Sequence, residues 1–461
     1  MGPVEVPDSV MYGASTHRAT CVFPTKGHQL PPVFIRTVGL LKYACAVANV
    51  KLGKMPKDKG ELLMQAALEV YEGKLDAHFP LDVFQTGSAT STNMNVNEVV
   101  ANRCSQLAGE PLGSKKPVHT NDDVNMGQSS NDTMPTVLHV SVALALHHEL
   151  IPALRHFHAA LAAKAAEFQD VIKIGRTHMM DATPLSLGQE FSGYARQMEK
   201  AIARAEHALG IVMELAIGGT AVGTGINSHP DFARLVLEVF RDKTGLPFVE
   251  ARNHFEAQAA RDDCVEVAGI LATIGASMTK IANDIRLLAS GPRSGIGELI
   301  LPATQPGSSI MPGKVNPVQC EMVVQVGLYV IGLAQVVMGC GRDGHFELNV
   351  TIPLMAYSIL DAVRCLSQVA IVFTDRCIVG IQPDLERCKE LVDRSLMLVT
   401  ALNPYIGYDK AAAVAKKAHA EGKTLREVVL EMGLMDAATL DKALDPRSMI
   451  TPEAAAPKSK L

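Results

Sequence analysis

Four stretches of the chain gather side chains that could grip a small dicarboxylate and move a proton on it. Residues 86–97 read TGSATSTNMNVN, residues 119–131 HTNDDVNMGQSSN, residues 175–183 GRTHMMDAT and residues 307–316 GSSIMPGKVN. Hydroxyls, carboxamides and backbone N–H groups bind carboxylate oxygens without a metal. Lys314 adds one strong counter-charge. His178 and Glu321 suit a hydrogen-bonded pair in which the carboxylate orients the ring and raises its basicity. His119, Asp122 and Asp123 are close in sequence, but no residues have recognised metal-ligand spacing, so neither metal nor cofactor is expected. Taken singly, each stretch also fits a helix-capping segment, because Ser, Thr and Asn compete with helix hydrogen bonding. Four of them between long apolar segments point to a site.

Those apolar segments have helical spacing. Residues 34–50 and 59–72 predict two modest helices, and residues 17–29, with Pro24 and Gly27, read as a loop. Residues 84–97 cap a helix that continues through Glu98–Ala101. Five long helices are expected over 135–169, 187–215, 262–289, 317–338 and 354–379, the first kinked at Pro152 and the fourth opened by Pro317. The first is apolar on more than one face, as inside a bundle. Short helices over 409–420 and 424–432 close the chain. The expected fold is mainly α in three parts: residues 1–128, a central long-helix bundle over 129–386, and a small helical unit over 387–461. Faces this apolar need partner subunits to cover them.

Composition excludes several classes of function. At 461 residues the chain is too long for one simple core. A net charge of −5 with no long Lys/Arg block gives no nucleic-acid footprint, so an anionic substrate must be held locally. Trp is absent and aromatics are 5%, which favours helix packing over a sandwich or barrel. No uncharged run of about 18 apolar residues appears, so no membrane span is expected. The nine cysteines include no CxxC pair and read as buried thiols of a reducing compartment. The start MGPVEVPDSV resembles neither a secretory signal nor a transit peptide, which points to the cytoplasm; the ending Ser459-Lys460-Leu461 matches a peroxisomal address if the source is eukaryotic.

GSSIMPGKVN is similar to the signature loop of the fumarase/aspartase superfamily, and its flanks narrow the likeness. QTGSATSTNMNVNEV at 85–99, HTNDDVNMGQSSND at 119–132, KIGRTHMMDATPLSLGQE at 173–190, GGTAVGTGIN at 218–227, FELNV at 346–350 and NPYIGYDKAA at 403–412 resemble class II fumarases. The likeness runs from Gly2 to about Met449. It implies a three-domain, mainly α fold and a homotetramer. Each subunit would give five helices to a central bundle of twenty, and three subunits would share each active site. The implied reaction is the reversible, stereospecific hydration of fumarate to L-malate in the tricarboxylic acid cycle, by metal-free acid/base chemistry.

The resemblance also assigns roles. Ser308 would take the C3 proton of malate, its hydroxyl activated by loop N–H groups. Gly307 and Gly313 would allow close backbone approach. Lys314 and Asn316 would hold the carboxylate that gathers charge. His178, with Glu321, would handle the proton of the departing water. Ser88, Thr90, Ser129, Ser130, Asn131, Thr177 and Thr224 would position the carboxylates and hydroxyl. A second dicarboxylate site would involve Lys116, His119, Asn121 and Asp122. Lys116 stands where the family has Arg and lacks its bidentate grip. Ala89 stands for Gly, Thr120 for Pro, and Met179-Met180 for Leu-Gln. Ala89 and the two Met sit beside catalytic positions and would reshape the pocket or admit a methylated substrate, making mesaconate hydration one alternative. Aspartate ammonia-lyase is another, disfavoured by NDDVN and QSSND where that enzyme has NDHVN and QSTND. A non-catalytic structural homologue is disfavoured because Ser308, Lys314, His178 and Glu321 are all present.

Overall fold

The computed structural model describes residues 2–451; the Ser459-Lys460-Leu461 ending lies outside them. Helices dominate. In chain order they are α1 (Ala14–Val22), α2 (Pro32–Lys51), α3 (Lys57–Tyr71), α4 (Thr90–Leu107), α5 (Ser130–Ala145) and α6 (Ile151–Glu167). The hairpin β1 (Ile172–Thr177) and β2 (Met180–Ser186) leads into α7 (Leu187–Ile211). Then come β3 (Glu214–Leu215), α8 (Phe232–Thr244), β4 (Val249–Glu250), α9 (His254–Ala259) and α10 (Asp262–Leu288). β5 (Leu299–Ile300), α11 (Val318–Arg342), α12 (Ile352–Arg376) and β6 (Gln382–Pro383) follow. The chain closes with α13 (Leu385–Arg394), α14 (Asn403–Ile406), α15 (Tyr408–Glu421), α16 (Leu425–Glu431) and α17 (Ala437–Ala443). The strands form three two-stranded pairs: β1 with β2 and β5 with β6 antiparallel, β3 with β4 parallel.

The five long helices read from apolar spacing are all present. The first begins earlier than its Pro135, because Ser129 caps it and Pro135 sits inside α5. A π turn over Leu146–Leu150 joins α5 to α6 and absorbs the irregularity at Pro152. Residues 17–29, read as a loop, are helical as far as Val22. The cap is remote: the Glu98 carboxylate accepts the N–H groups of Gly13, Ser15 and Thr16 at 2.8–3.0 Å. All nine cysteines are free, but Cys21 is exposed rather than buried.

The described residues form two compact units, each discontinuous in sequence. One holds the chain up to Ala153 with Ala201–Ala276 and Val326–Gln368; the other holds Leu154–Lys200, Ser277–Gln325 and everything from Val369 onward. In the first, α2 packs on α3, α5 and α8, and α5 is apolar and buried nearly all round. In the second, Ile174 joins a core with Val392, Leu402, Val414, Val428 and Leu440. The tail obeys its local signals: Gly422 is left-handed at the end of α15, and Thr424 and Glu427 form a capping box on α16.

The expectation that no helix is apolar enough to span a membrane needs correction. Five helices qualify by length and composition, with mean hydropathy of 1.4–1.9. Four of them are interrupted by charged residues, such as Lys42 in α2 and Asp284 in α10, but α11 has none between Glu321 and Arg342 and contradicts the expectation outright. The most apolar, α11, is only 33% buried over its richest stretch and exposes Leu328, Tyr329, Val336 and Met338.

Candidate active site

In the first unit two helix N-termini carry the polar residues. Ala89 sits left-handed (φ 58°) just before α4, so Thr90 opens the helix. Ser129 is extended and caps α5, with Asp132 completing a capping box. The side chains then connect. Ser88 and Thr90 hydroxyls lie 2.7 Å apart, and Thr90 and Ser130 hydroxyls also 2.7 Å apart. Asn131 Nδ2 donates to the Ala221 carbonyl at 2.7 Å. Helix N-termini lined with hydroxyls favour a carboxylate. Thr224, in the same unit, lines a cavity of about 260 Å³ with Gly218, Ser228, His229 and His254.

Close approach explains some of the small residues. A Cβ on Gly87 would fall 1.7 Å from the Val350 carbonyl oxygen. Ala89 is different, for it is fully buried in a conformation that glycine adopts freely. Ala89→Gly is therefore expected to raise stability, by about 1 kcal/mol at most, read as a shift in the denaturant midpoint. A clear loss would show that the buried methyl outweighs the backbone strain.

Asp132 holds two of these segments together, and the sequence reading passed over it. It is fully buried, and its carboxylate accepts N–H bonds from Ser129, Gly218 and Thr220 at 2.9–3.0 Å. It thus ties the start of α5 to the turn that leads to Thr224. Burial pushes its pKa up to about 6, against those N–H bonds. The S-x-x-D capping pattern was the available signal.

In the second unit β1 and β2 hold a two-residue turn, His178-Met179, between the paired Thr177 and Met180. Both turn residues have positive φ, 56° and 65°, as a tight hairpin requires and non-glycine residues resist. Thr177, His178, Met179 and Met180 are exposed at its tip. The base of the hairpin is anchored in charge. Glu298, with no exposed side chain, takes Arg176 in a two-pronged bond at 2.9 and 3.1 Å, and Lys173 lies 3.3 Å away. Lys173 also meets Glu190 at 3.0 Å.

The 307–316 loop is closed on itself. Gly307 N–H donates to the Lys314 carbonyl at 2.8 Å, and Asn316 Nδ2 to the Gly307 carbonyl at 2.7 Å. A Cβ on Gly307 would meet that Lys314 oxygen at 2.5 Å. Inside the turn, Ser308 Oγ accepts the N–H groups of Ile310 and Met311 at 3.2 and 3.0 Å. Lys314 is exposed and has no ion-pair partner among the described residues. Glu321 lies in the first turn of α11. Among the described residues no hydrogen bond joins Glu321 to His178, so the expected pair is not formed within the chain.

The second expected site is less coherent. His119 Nδ1 lies 3.3 and 3.1 Å from the N–H groups of Asn121 and Asp122 and 3.2 Å from the Asp122 carboxylate, so it is engaged within its own turn. Lys116 is exposed. Of the four residues only Asn121 lines the neighbouring cavity of about 460 Å³, with Arg18, Glu98 and Lys115. Among the described residues no group of three His, Cys, Asp or Glu side chains is placed to hold a metal.

Comparison with known proteins places these features in context. Residues 2–332 match the family model described as Lyase, and residues 398–451 the one described as Fumarase C C-terminus. The chain is 52% identical to the class II fumarate hydratase of Caulobacter vibrioides, over 98% of this chain and 97% of that protein. It is 52% identical to the mitochondrial fumarate hydratase of Homo sapiens, over 98% of this chain and 89% of the relative. It superposes on the crystal structure of class II fumarase from Schistosoma mansoni with TM-score 0.93 at 39% identity, covering 97% of both chains.

Proposed function

The chain belongs to the class II fumarase family, and we propose how its own residues carry out that family's chemistry. It is a hydro-lyase acting as a fumarate hydratase on a small dicarboxylate. In the malate-to-fumarate direction Ser308 Oγ takes the C3 proton. The electron pair left at C3 delocalises into the adjacent carboxylate, which becomes a dianion. Lys314 and Asn316 hold that charge. The C2–O bond then breaks, and His178, its ring oriented by Glu321, delivers the proton that lets hydroxide leave as water. Thr90, Ser130 and Asn131, with Ser88, Ser129, Thr177 and Thr224, fix the substrate at the two helix N-termini.

One observation carries the assignment of the base. Ser308 Oγ already accepts two backbone N–H bonds, which stabilise negative charge on oxygen and so lower the cost of using a serine as base. A cytoplasmic setting is our reading of nine free thiols.

We further read the protein as a homotetramer whose sites are completed by neighbouring subunits. Three features support this. The α11 face is apolar and exposed, His178 and Glu321 do not pair within one chain, and the site residues fall into two sets, one in each compact unit. The test is co-expression of Ser308→Ala with His178→Asn, assayed at the fumarate absorbance band with malate, aspartate and mesaconate. Each variant alone should be nearly inactive. Mixed oligomers should regain part of the malate activity, because some sites receive both intact residues from different chains. No recovery would place both residues in one subunit's site, and turnover of aspartate would overturn the choice of substrate.

A further inference from the structure

We propose that Lys42, on α2, is a positioning residue that sets the spacing of the substrate-binding hydroxyls by holding two separate segments through their carboxamides. The proposal rests on the reading of Thr90 and Ser130 as substrate ligands. Lys42 has no exposed surface. Its ammonium donates to Asn93 Oδ1 at 2.8 Å, Asn125 Oδ1 at 3.1 Å and Gln128 Oε1 at 2.8 Å. Asn93 follows Thr90 by three residues on α4, so the two share a helix face. Gln128 directly precedes the Ser129-Ser130-Asn131 run. One ammonium therefore fixes α4 and the entry to α5, the two elements whose hydroxyls meet 2.7 Å apart at Thr90 and Ser130.

The surrounding amides leave it little freedom. Asn125 Oδ1 also accepts from Asn93 and Asn97 Nδ2 at 3.1 and 3.2 Å. Asn125 Nδ2 donates to the Gln128 carbonyl, and Gln128 Nε2 to the Val124 and Met126 carbonyls, at 3.1–3.2 Å. These bonds decide which end of each amide is oxygen, so every acceptor faces the lysine. No carboxylate forms an ion pair with it among the described residues. Burial pushes its pKa down to about 8, with Cys45 on its own helix and Asp132 on α5 opposing the shift. A buried charge that bonds only neutral amides is an expensive way to fill a core, since an apolar side chain of similar length would pack without that penalty. The expense is rational if the charge sets geometry at a site for a dianion.

The test compares Lys42→Met, Gln128→Met and Thr90→Val in the full-length enzyme, measuring kcat and KM for malate on folded, size-fractionated protein, together with the melting temperature. Lys42→Met, which cuts all three of these bonds, should raise KM about tenfold, with kcat changed far less. Gln128→Met keeps the lysine and cuts one of its bonds, so it should shift KM in the same direction even if Lys42→Met fails to fold. A merely structural lysine predicts a lower melting temperature with unchanged KM in both variants, and that result would overturn the proposal. Thr90→Val separates the two layers. If it leaves KM unchanged, the reading of Thr90 as a ligand fails. If it raises KM while the other two do not, only the role of Lys42 fails.

Discussion

Ser308→Ala is expected to lower kcat by about 10²–10⁴-fold, the range for loss of a positioned acid or base, with KM for malate changed little. The hydroxyl has a second job that must be separated from the first. Its oxygen accepts the N–H groups of Ile310 and Met311 and so shapes the turn that presents Lys314 and Asn316. Alanine removes both the base and the turn acceptor. Asparagine at this position restores a side-chain oxygen that can bond N–H groups two and three residues on, but cannot take the proton. If Ser308 is the base, both variants are nearly inactive. If Ser308→Asn recovers substantial turnover, the oxygen was needed only for the turn and the base lies elsewhere. Full turnover in Ser308→Ala would remove the residue from the mechanism altogether.

How much of this was legible in the sequence follows from the range of the interactions. The long helices were legible because apolar spacing is local and repeats every turn. The capping boxes at Ser129 and Thr424 are local signals too, with donor and acceptor within three residues, although the one at Ser129 went unread and its helix was begun at Pro135. The α1 helix was not, because its N–H groups are capped by Glu98, more than 80 residues away. The β1–β2 hairpin read as a polar loop: its register slips between Ile174 and Arg176, and its turn uses His-Met where sequence rules expect Asn-Gly. Resemblance supplied the roles of Ser308 and His178, but not the residues that hold them. Lys42 and Glu298 look in sequence like ordinary surface charges, and only the fold shows them buried. The reading also expected His178 and Glu321 to meet, and a single chain does not bring them together.

Glu298→Ala is expected to cost about 3–5 kcal/mol of stability and much of the activity, although Glu298 touches no substrate. The stability loss follows from what remains. Lys173, almost wholly buried, and Arg176 would keep their charges with only Glu190 to balance them. The activity loss follows from the backbone. His178 and Met179 both sit at positive φ, and left-handed conformations cost non-glycine residues roughly 1–2 kcal/mol each. Such strain persists only where the surroundings over-determine it. The fork between Arg176 and Glu298 lies two residues from His178 and constrains that end of the hairpin. Without it the turn can relax, and the imidazole leaves the position that proton transfer needs. Glu298→Gln keeps one oxygen for Arg176 and should fall between the parent and the alanine variant in both urea midpoint and kcat. An alanine variant within about 1 kcal/mol of the parent would mean that water reaches Arg176 and Lys173 on relaxation. A variant that is destabilised yet keeps full kcat would mean that the turn holds its shape without this fork.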